Sequence, residues 1–257
     1  MASVVEAARE ALGSIGVCLP ASLTVALDVD LQRDAIRRLD HAGYRTVWVN
    51  EVIGKDAFVQ IGTLIAETER MVFGTSIANI WARPPQTMHA AAAQLAQAYP
   101  GRLVVGIGVG YPEQAASVAR EFGRPLVTIR DYVQRMDEPT WPPVPDAAYP
   151  RIIAANGPKM LALADEIADG AFPAGKAPGF TAHARSTLGP DKLLVVGLSL
   201  DPDPTAVRDG AREHLNAGAD HVTILPPLDG DFRDGIDQLE LIAPTLIGLG
   251  QPRAGLV

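Results

Sequence analysis

Asn156-Gly157-Pro158 and Gly175-Lys176 are the residues of this sequence whose types and spacing point most directly to chemistry. They lie in the stretch RIIAANGPKMLALADEIADGAFPAGK (Arg151–Lys176). It reads as a buried strand at Arg151–Ala155, a tight turn at Asn156-Gly157, a helix opened by Pro158, and a short strand at Gly170–Pro173 ending in Ala174-Gly175-Lys176. A Pro at the first helical position, with a Gly before it, is a helix-start signal. Such a helix directs free backbone N–H groups and the positive end of its dipole above the strand, which suits a phosphate. A lysine just past the next strand would sit on the same rim, so two adjacent strand–helix units would form one anion cradle. The same pattern also serves as a plain strand-to-helix connection with an exposed lysine, because such turns occur in α/β proteins without ligands there.

The elements that must position these residues alternate along the chain. Strands are expected at Ser14–Pro20, Thr46–Asn50, Val72–Ala78, Leu103–Ile107, Arg151–Ala155, Gly170–Pro173, Leu193–Leu200 and His221–Leu225. Helical periodicity is expected over 3–12, Asp28–Ala42, Ala57–Glu67, Gln86–Tyr99, Val127–Met136, Thr181–Leu188, Thr205–Asn216 and Phe232–Leu246, the last with a kink at Pro244. The first of these could plug or lead into the fold. Asp28 or Asp30 can cap the second, and Gly43 stops it. Ala42-Gly43 and Ala217-Gly218 each end a helix at the same offset before a strand valine, Val47 and Val222, which suits repeated units. Eight strands with intervening helices give one α/β domain over residues 1–257, a TIM (β/α)8 barrel, because eight is the closing number. The proline-rich run at 137–150 is a surface connection within it, and GLGQPRAGLV after the last helix is a frayed tail.

Bulk properties narrow the partners. A net charge of −8 with no Lys/Arg run argues against nucleic acid or an anionic membrane surface. The single cysteine, Cys18, excludes a disulfide framework and a cysteine-based metal site. Glu6, Arg9 and Glu10 break any apolar leader and no run is long enough to span a bilayer, so a cytoplasmic protein is expected.

In such a barrel the working face lies at the C-terminal ends of the strands. That filter selects Asn50 and Glu51, then Asn79 and Trp81, Gly108–Glu113, Asn156 and Gly157, Gly175 and Lys176, and Pro226 and Pro227. The five histidines show no paired spacing and fall on helices or near strand starts, so no metal site is expected. No G-x-S-x-G elbow is present. Gly106-Ile107-Gly108-Val109-Gly110 fails as a dinucleotide fingerprint, because the third glycine is missing and the motif follows a fourth strand rather than a first. Its glycines let a flat ligand or a loop lie against the backbone, or simply allow tight packing at the rim.

GTSIANIWARPP (Gly74–Pro85), YPGRLVVGIGVG (Tyr99–Gly110), AANGPKMLALADEIADGAF (Ala154–Phe172) and REHLNAGADHV (Arg212–Val222) together resemble the bacterial-luciferase-like family, in its actinobacterial F420-dependent oxidoreductase branch. The resemblance implies a TIM barrel holding coenzyme F420, or alternatively FMN, at the C-terminal face, and hydride transfer between the deazaflavin C5 and a small organic substrate. It places a non-prolyl cis peptide at Ser76-Ile77, with Ser76, Ile77 and Asn79 supporting the ring and Gly108 and Gly110 letting it approach. Phosphate would be held by Asn156, Gly157, Gly175 and Lys176. Similar proteins are often homodimers. Two departures stand out. The acid–base His and Glu of similar sugar-phosphate dehydrogenases are matched here by Val52 and Tyr111, leaving Glu51 or Tyr111 as the expected proton donor. The segment DPDP between Leu200 and Thr205 is short where relatives insert helical material after strand seven, which also admits a non-catalytic cofactor-binding barrel.

Overall fold

The computed structural model describes residues 3–22, 24–228 and 230–249. Its strands are β1 (Ile15–Cys18), β2 (Thr46–Val49), β3 (Val72–Thr75), β4 (Ala78–Asn79), β5 (Leu103–Gly108), β6 (Arg151–Ala154), β7 (Gly170–Phe172), β8 (Leu193–Ser199) and β9 (His221–Leu225). The helices are α1 (Val4–Leu12), α2 (Val29–His41), α3 (Ala57–Leu64), α4 (Pro85–Ala98), α5 (Pro112–Ser117), α6 (Pro125–Met136), α7 (Pro158–Ile167), α8 (Pro178–Leu188), α9 (Pro204–Asn216) and α10 (Phe232–Leu246).

Strand order is β3-β2-β1-β9-β8-β7-β6-β5-β4, and a further β3–β5 pairing closes the ring. All pairings are parallel. β3 and β4 are the two halves of the expected Val72–Ala78 strand, separated at Ser76-Ile77, so the closed barrel has the eight staves read from the sequence.

Two apolar layers hold it. The larger lies between strands and helices and includes Val47, Phe73, Val105, Ile153 and Val196 against Ile36, Ile61, Met88, Leu161 and Leu239. The smaller fills the barrel: Cys18, Trp48, Val72, Val104, Ile152, Phe172, Leu193 and Val195 pack with Val5, Ala8 and Leu12 of α1. α1 therefore plugs the bottom of the barrel. Thr46 Oγ1 donates to Leu12 O (2.8 Å), tying its end to the start of a strand. Above it, Trp48 Nε1–H donates to His221 Nε2 (3.0 Å) and His221 Nδ1 lies 2.7 Å from Gly13 O, so the ring is neutral with its proton on Nδ1. Burial lowers the His221 pKa to about 4, against the opposing pull of the Gly13 carbonyl and Asp220. Gly74 has no alternative here, because a Cβ would lie 2.2 Å from the Trp48 ring.

Local chemistry explains most element ends. Asp28, Asp56, Asp203 and Asp231 cap α2, α3, α9 and α10 by accepting first-turn amides. Gly43 and Gly218 both take positive φ after their helices, matching the repeated Ala-Gly motif. Three expectations shift. α5 replaces the expected loop at Pro112, α6 and α8 begin earlier at Pro125 and Pro178, and Ala57–Glu67 divides into α3 and a 3-10 turn at Ile65–Glu67. In α5, α6 and α8 the proline is the first helical residue, where its missing N–H costs nothing. α10 runs on through Pro244 to Leu246, and the expected tail beyond Leu249 lies outside the described residues. Between β8 and α9 there is only the short turn at Leu200–Asp203.

Candidate active site

The C-terminal ends of the strands gather the expected residues into two groups. On the β6–β7 side, Asn156 is exposed and its Oδ1 accepts the Ala174 N–H (2.9 Å), which ties the loop before α7 to the loop before α8. The Gly175 N–H donates to Gly197 O (2.9 Å), fixing the second loop to β8. α7 and α8 open at Gly157 and Ala177 with Pro at the first position and no side-chain cap, so among the described residues their leading amides have no side-chain acceptor. A Cβ at Gly157 or Gly175 would meet nothing within 4 Å, leaving open space over both loops. Lys176 is half-buried, its Nζ 5.9 Å from the Phe180 ring centre at the first turn of α8. Asn156, Gly157, Gly175 and Lys176 thus share one rim, with donors that suit an anion.

On the β3–β5 side, the Ser76-Ile77 peptide bond is cis. The Ser76 N–H donates to Val49 O (2.7 Å) and Thr75 Oγ1 donates to Gly106 O (2.7 Å). A Cβ on Gly106 would lie 2.2 Å from Thr75 O, and one on Gly108 would lie 2.6 Å from Ile77 Cδ1. The two glycines therefore admit the bulged end of β3. At Gly108 the space is taken by Ile77, not left open for a ligand.

Asn79 is fully buried. Its Oδ1 accepts the Trp81 N–H (3.0 Å), while its Nδ2 has no partner among the described residues and faces Gly110, where a Cβ would be 3.1 Å away. A buried amide NH₂ without an acceptor is costly, and a ligand carbonyl or ring nitrogen would relieve it.

Glu51 and Tyr111 occupy opposite extremes. The Glu51 carboxylate is buried and saturated: it accepts the Ala57 and Asn79 N–H groups (2.7 Å each), one Arg83 N–H at 3.0 Å and a second, shorter one from the same guanidinium. Arg83 also pairs with Asp56 at 2.9 Å and lies over the Phe58 ring. Burial acts against the charge on Asp56, but the Val59 and Phe58 amides and Arg83 hold its carboxyl below the usual range. Tyr111 is 71% exposed at the start of α5.

Sequence reasoning passed over a third group. Cys18 Sγ, at the end of β1, lies 3.3 Å from Ser76 Oγ, and Lys55 Nζ donates to Asn50 Oδ1 (2.7 Å) just past β2. Burial raises the Cys18 pKa, opposed by the Ser76 hydrogen bond, the Lys55 charge and the Asn50 amide. Burial lowers the Lys55 pKa, opposed by Cys18 and Glu51. The sequence signal was only a lysine five positions past the strand-ending Asn50.

Among the described residues no group of three or more His, Cys, Asp or Glu could hold a metal, and no helix is long and apolar enough to cross a membrane.

The luciferase-like monooxygenase family model matches residues 14–188, which takes in both rims of the mouth. The chain belongs to this family. The luciferase-like chain is 27% identical over 173 residues to a Mycobacterium tuberculosis protein provisionally named a coenzyme F420-dependent oxidoreductase, covering 54% of this chain and 50% of that one. It is 33% identical over 141 residues to the F420-dependent glucose-6-phosphate dehydrogenase of Nakamurella multipartita, covering 46% of this chain and 42% of that one. The matches thus span half or less of the length of these curated relatives. A solved F420-dependent secondary alcohol dehydrogenase, in complex with an F420-acetone adduct, superposes with a TM-score of 0.70 at 18% identity. The superposition covers 91% of this chain and 99% of that one, and at this identity the likeness is one of fold.

Proposed function

We propose that this luciferase-like protein is an F420-dependent oxidoreductase that moves a hydride between the deazaflavin C5 and a small organic substrate. The observation that carries the reading is the joined rim of α7 and α8, where Asn156 ties together two helix starts without side-chain caps beside Lys176. The two relatives named for F420 support the choice of cofactor.

The residues present fit such a group. Leading amides of α7 and α8, with Gly157 and Gly175 leaving room, bind phosphate, and Lys176 adds a cation. Asn79 Nδ2, buried and without a partner among the described residues, donates to a ring heteroatom. Ser76 and Ile77 form the shelf under the ring; Gly108 serves by seating Ile77, and Gly110 serves by seating Gln114, whose Oε1 lies 2.1 Å from where a Cβ would be, so neither glycine leaves open space for the ring. When bound, the deazaflavin supplies the two-electron hydride chemistry, and the protein supplies position and electrostatics.

Glu51 in this reading is a positioning residue. Each of its oxygens already accepts two hydrogen bonds, and it fixes Asn79 and Arg83 beneath the ring site. Tyr111 stays in the reading as a rim group within reach of solvent; unchanged turnover in Tyr111→Phe would remove it as a proton donor. A cytoplasmic location and a homodimer belong to the same proposal, the second read by light scattering of the purified chain.

The test is a paired titration of purified protein with oxidised F420 and with FMN, following ligand fluorescence at matched salt. Binding of F420 alone is expected. Tight FMN binding in its place would make the protein a flavin-dependent member of the family, and binding of neither would leave a non-catalytic barrel.

A further inference from the structure

The polar cluster at the mouth of β1 and β2 is not used by the phosphate rim or the ring shelf. Lys55 Nζ donates to Asn50 Oδ1 at 2.7 Å and is near enough to Cys18 and Glu51 for their charges to act on it. Cys18 Sγ in turn lies 3.3 Å from Ser76 Oγ, on the ring shelf. Lys55 therefore belongs to the same polar patch as the shelf.

Lys55 also lines a groove of about 730 Å³ between the loop after β1 and the start of α3. Val25, Leu27, Val52, Ile53 and Val59 make most of that groove apolar. Its polar wall is neutral where Gln60 Nε2 donates to Gln32 Oε1 (2.6 Å), and the Gln60 Oε1 is buried without a partner among the described residues. Asp56, the other charged residue of the lining, is already paired with Arg83. Lys55 is the cation of this groove that no carboxylate neutralises by direct contact among the described residues. An ammonium at the junction of an apolar groove and the ring shelf is suited to a neutral substrate that gains negative charge on oxygen as hydride arrives.

Resting on the F420 reading, we propose that Lys55 is the proton donor of this site and that the groove beside it takes a small, uncharged carbonyl compound. Hydride from the reduced deazaflavin forms a C–H bond at the carbonyl carbon, and the C=O π pair moves onto oxygen. The Lys55 ammonium gives that oxygen its proton, leaving an alcohol and a neutral amine that solvent reprotonates. The substrate is reduced by two electrons and the deazaflavin is oxidised by two. Asn50 holds the ammonium in place, and Cys18, Asn50 and Glu51 are the groups that face it.

The experiment compares full-length wild type, Lys55→Met and Lys55→Arg, with Cys18→Ser as the optical reference. Because Cys18 is the single cysteine, the ultraviolet absorbance change against pH, taken as the difference between each protein and its Cys18→Ser counterpart to remove the five tyrosines, reports its titration with no cofactor present. Lys55→Met is expected to move that titration to higher pH, whereas Lys55→Arg, which keeps the charge, leaves it near the wild-type position. Anaerobic oxidation of reduced F420 by cyclohexanone is expected to fall by about 10²–10⁴ in both variants, because a guanidinium holds its proton too tightly to give it up. F420 affinity is expected to stay within about twofold of wild type, as the phosphate rim is untouched.

An arginine that restores turnover would overturn proton donation and leave only a charge effect. An unmoved thiol titration in Lys55→Met would overturn the placement of Lys55 at the mouth. Wild type that binds F420 but does not reduce cyclohexanone would overturn the carbonyl assignment while sparing the cofactor reading. Wild type that binds no F420 would remove that reading, and the proton-donor role with it.

Discussion

Replacing Glu51 with Gln separates a positioning carboxylate from a proton donor. In the native protein its side chain is fully buried, Arg83 is 7% exposed, and the carboxylate accepts two backbone amides besides the guanidinium. The substituted carboxamide would keep the shape but lose the charge, and its NH₂ would face donors that need an acceptor. Removing one partner of a buried pair costs about 3–5 kcal/mol, because the remaining charge stays buried without compensation. Here Asp56 still pairs with Arg83 at 2.9 Å but is 46% exposed, so the lower end, about 3 kcal/mol, is expected. With an unfolding entropy of roughly 2.1 cal/mol/K per residue, a chain of this length loses about 6 °C in Tm. Because Glu51 also anchors the Asn79 N–H, F420 affinity should fall together with Tm. Thermal unfolding by circular dichroism and a fluorescence titration on the same samples read both effects. Asp56→Asn, at the more exposed end of the pair, should cost less than about 1 kcal/mol. If Glu51→Gln instead kept its Tm within a degree and its full F420 affinity while losing turnover, the positioning argument would be wrong and Glu51 would be the acid.

Three further outcomes follow from the same geometry. Lys176→Ala should weaken F420 binding about tenfold, the size of a lost charge-assisted hydrogen bond, and should flatten its salt dependence in fluorescence titrations. Gly108→Ala should destabilise by about 1–3 kcal/mol in urea unfolding and reduce cofactor affinity, because its Cβ would lie 2.6 Å from Ile77 Cδ1 and 3.3 Å from Ala154 Cβ. His221 is neutral when folded, with its pKa lowered to about 4, so unfolded chains bind the proton first as pH falls. Its contribution is complete above the unfolded value near 6.5 and is lost towards 4, about 2 kcal/mol by pH 5 relative to pH 7.5. His89 and His214, also lowered by burial, act in the same direction. Urea unfolding at the two pH values reads this, and equal midpoints would contradict a neutral buried His221.

Local signals were legible because they act within a few residues. The alternation of apolar runs and helical periods placed eight staves, Asp28 announced the start of α2, and Pro158 after Asn156-Gly157 announced α7. Pro112, Pro125 and Pro178 carried the same first-position signal, but Pro112 read as a breaker and the other two helices read as starting later, since a proline marks both a helix start and a loop. The shared rim of Asn156 and Lys176 was readable from one stretch because β6, α7 and β7 are consecutive, so residues 20 apart in sequence are placed by the βαβ connection itself.

Contacts across the barrel were decided only by its closure. Cys18, Asn50, Lys55 and Ser76 come from the ends of β1, β2 and β3, and nothing in their spacing says that a thiol, an amide, an ammonium and a hydroxyl will meet. The pairing of Glu51 with Arg83, across 32 positions, gave no signal in the sequence, where Glu51 read only as a strand-end carboxylate. Composition and period set which residues lie at strand ends. Which of those ends face one another, and which side chains are then satisfied or left with a free donor, follows from the β3–β5 pairing that closes the ring.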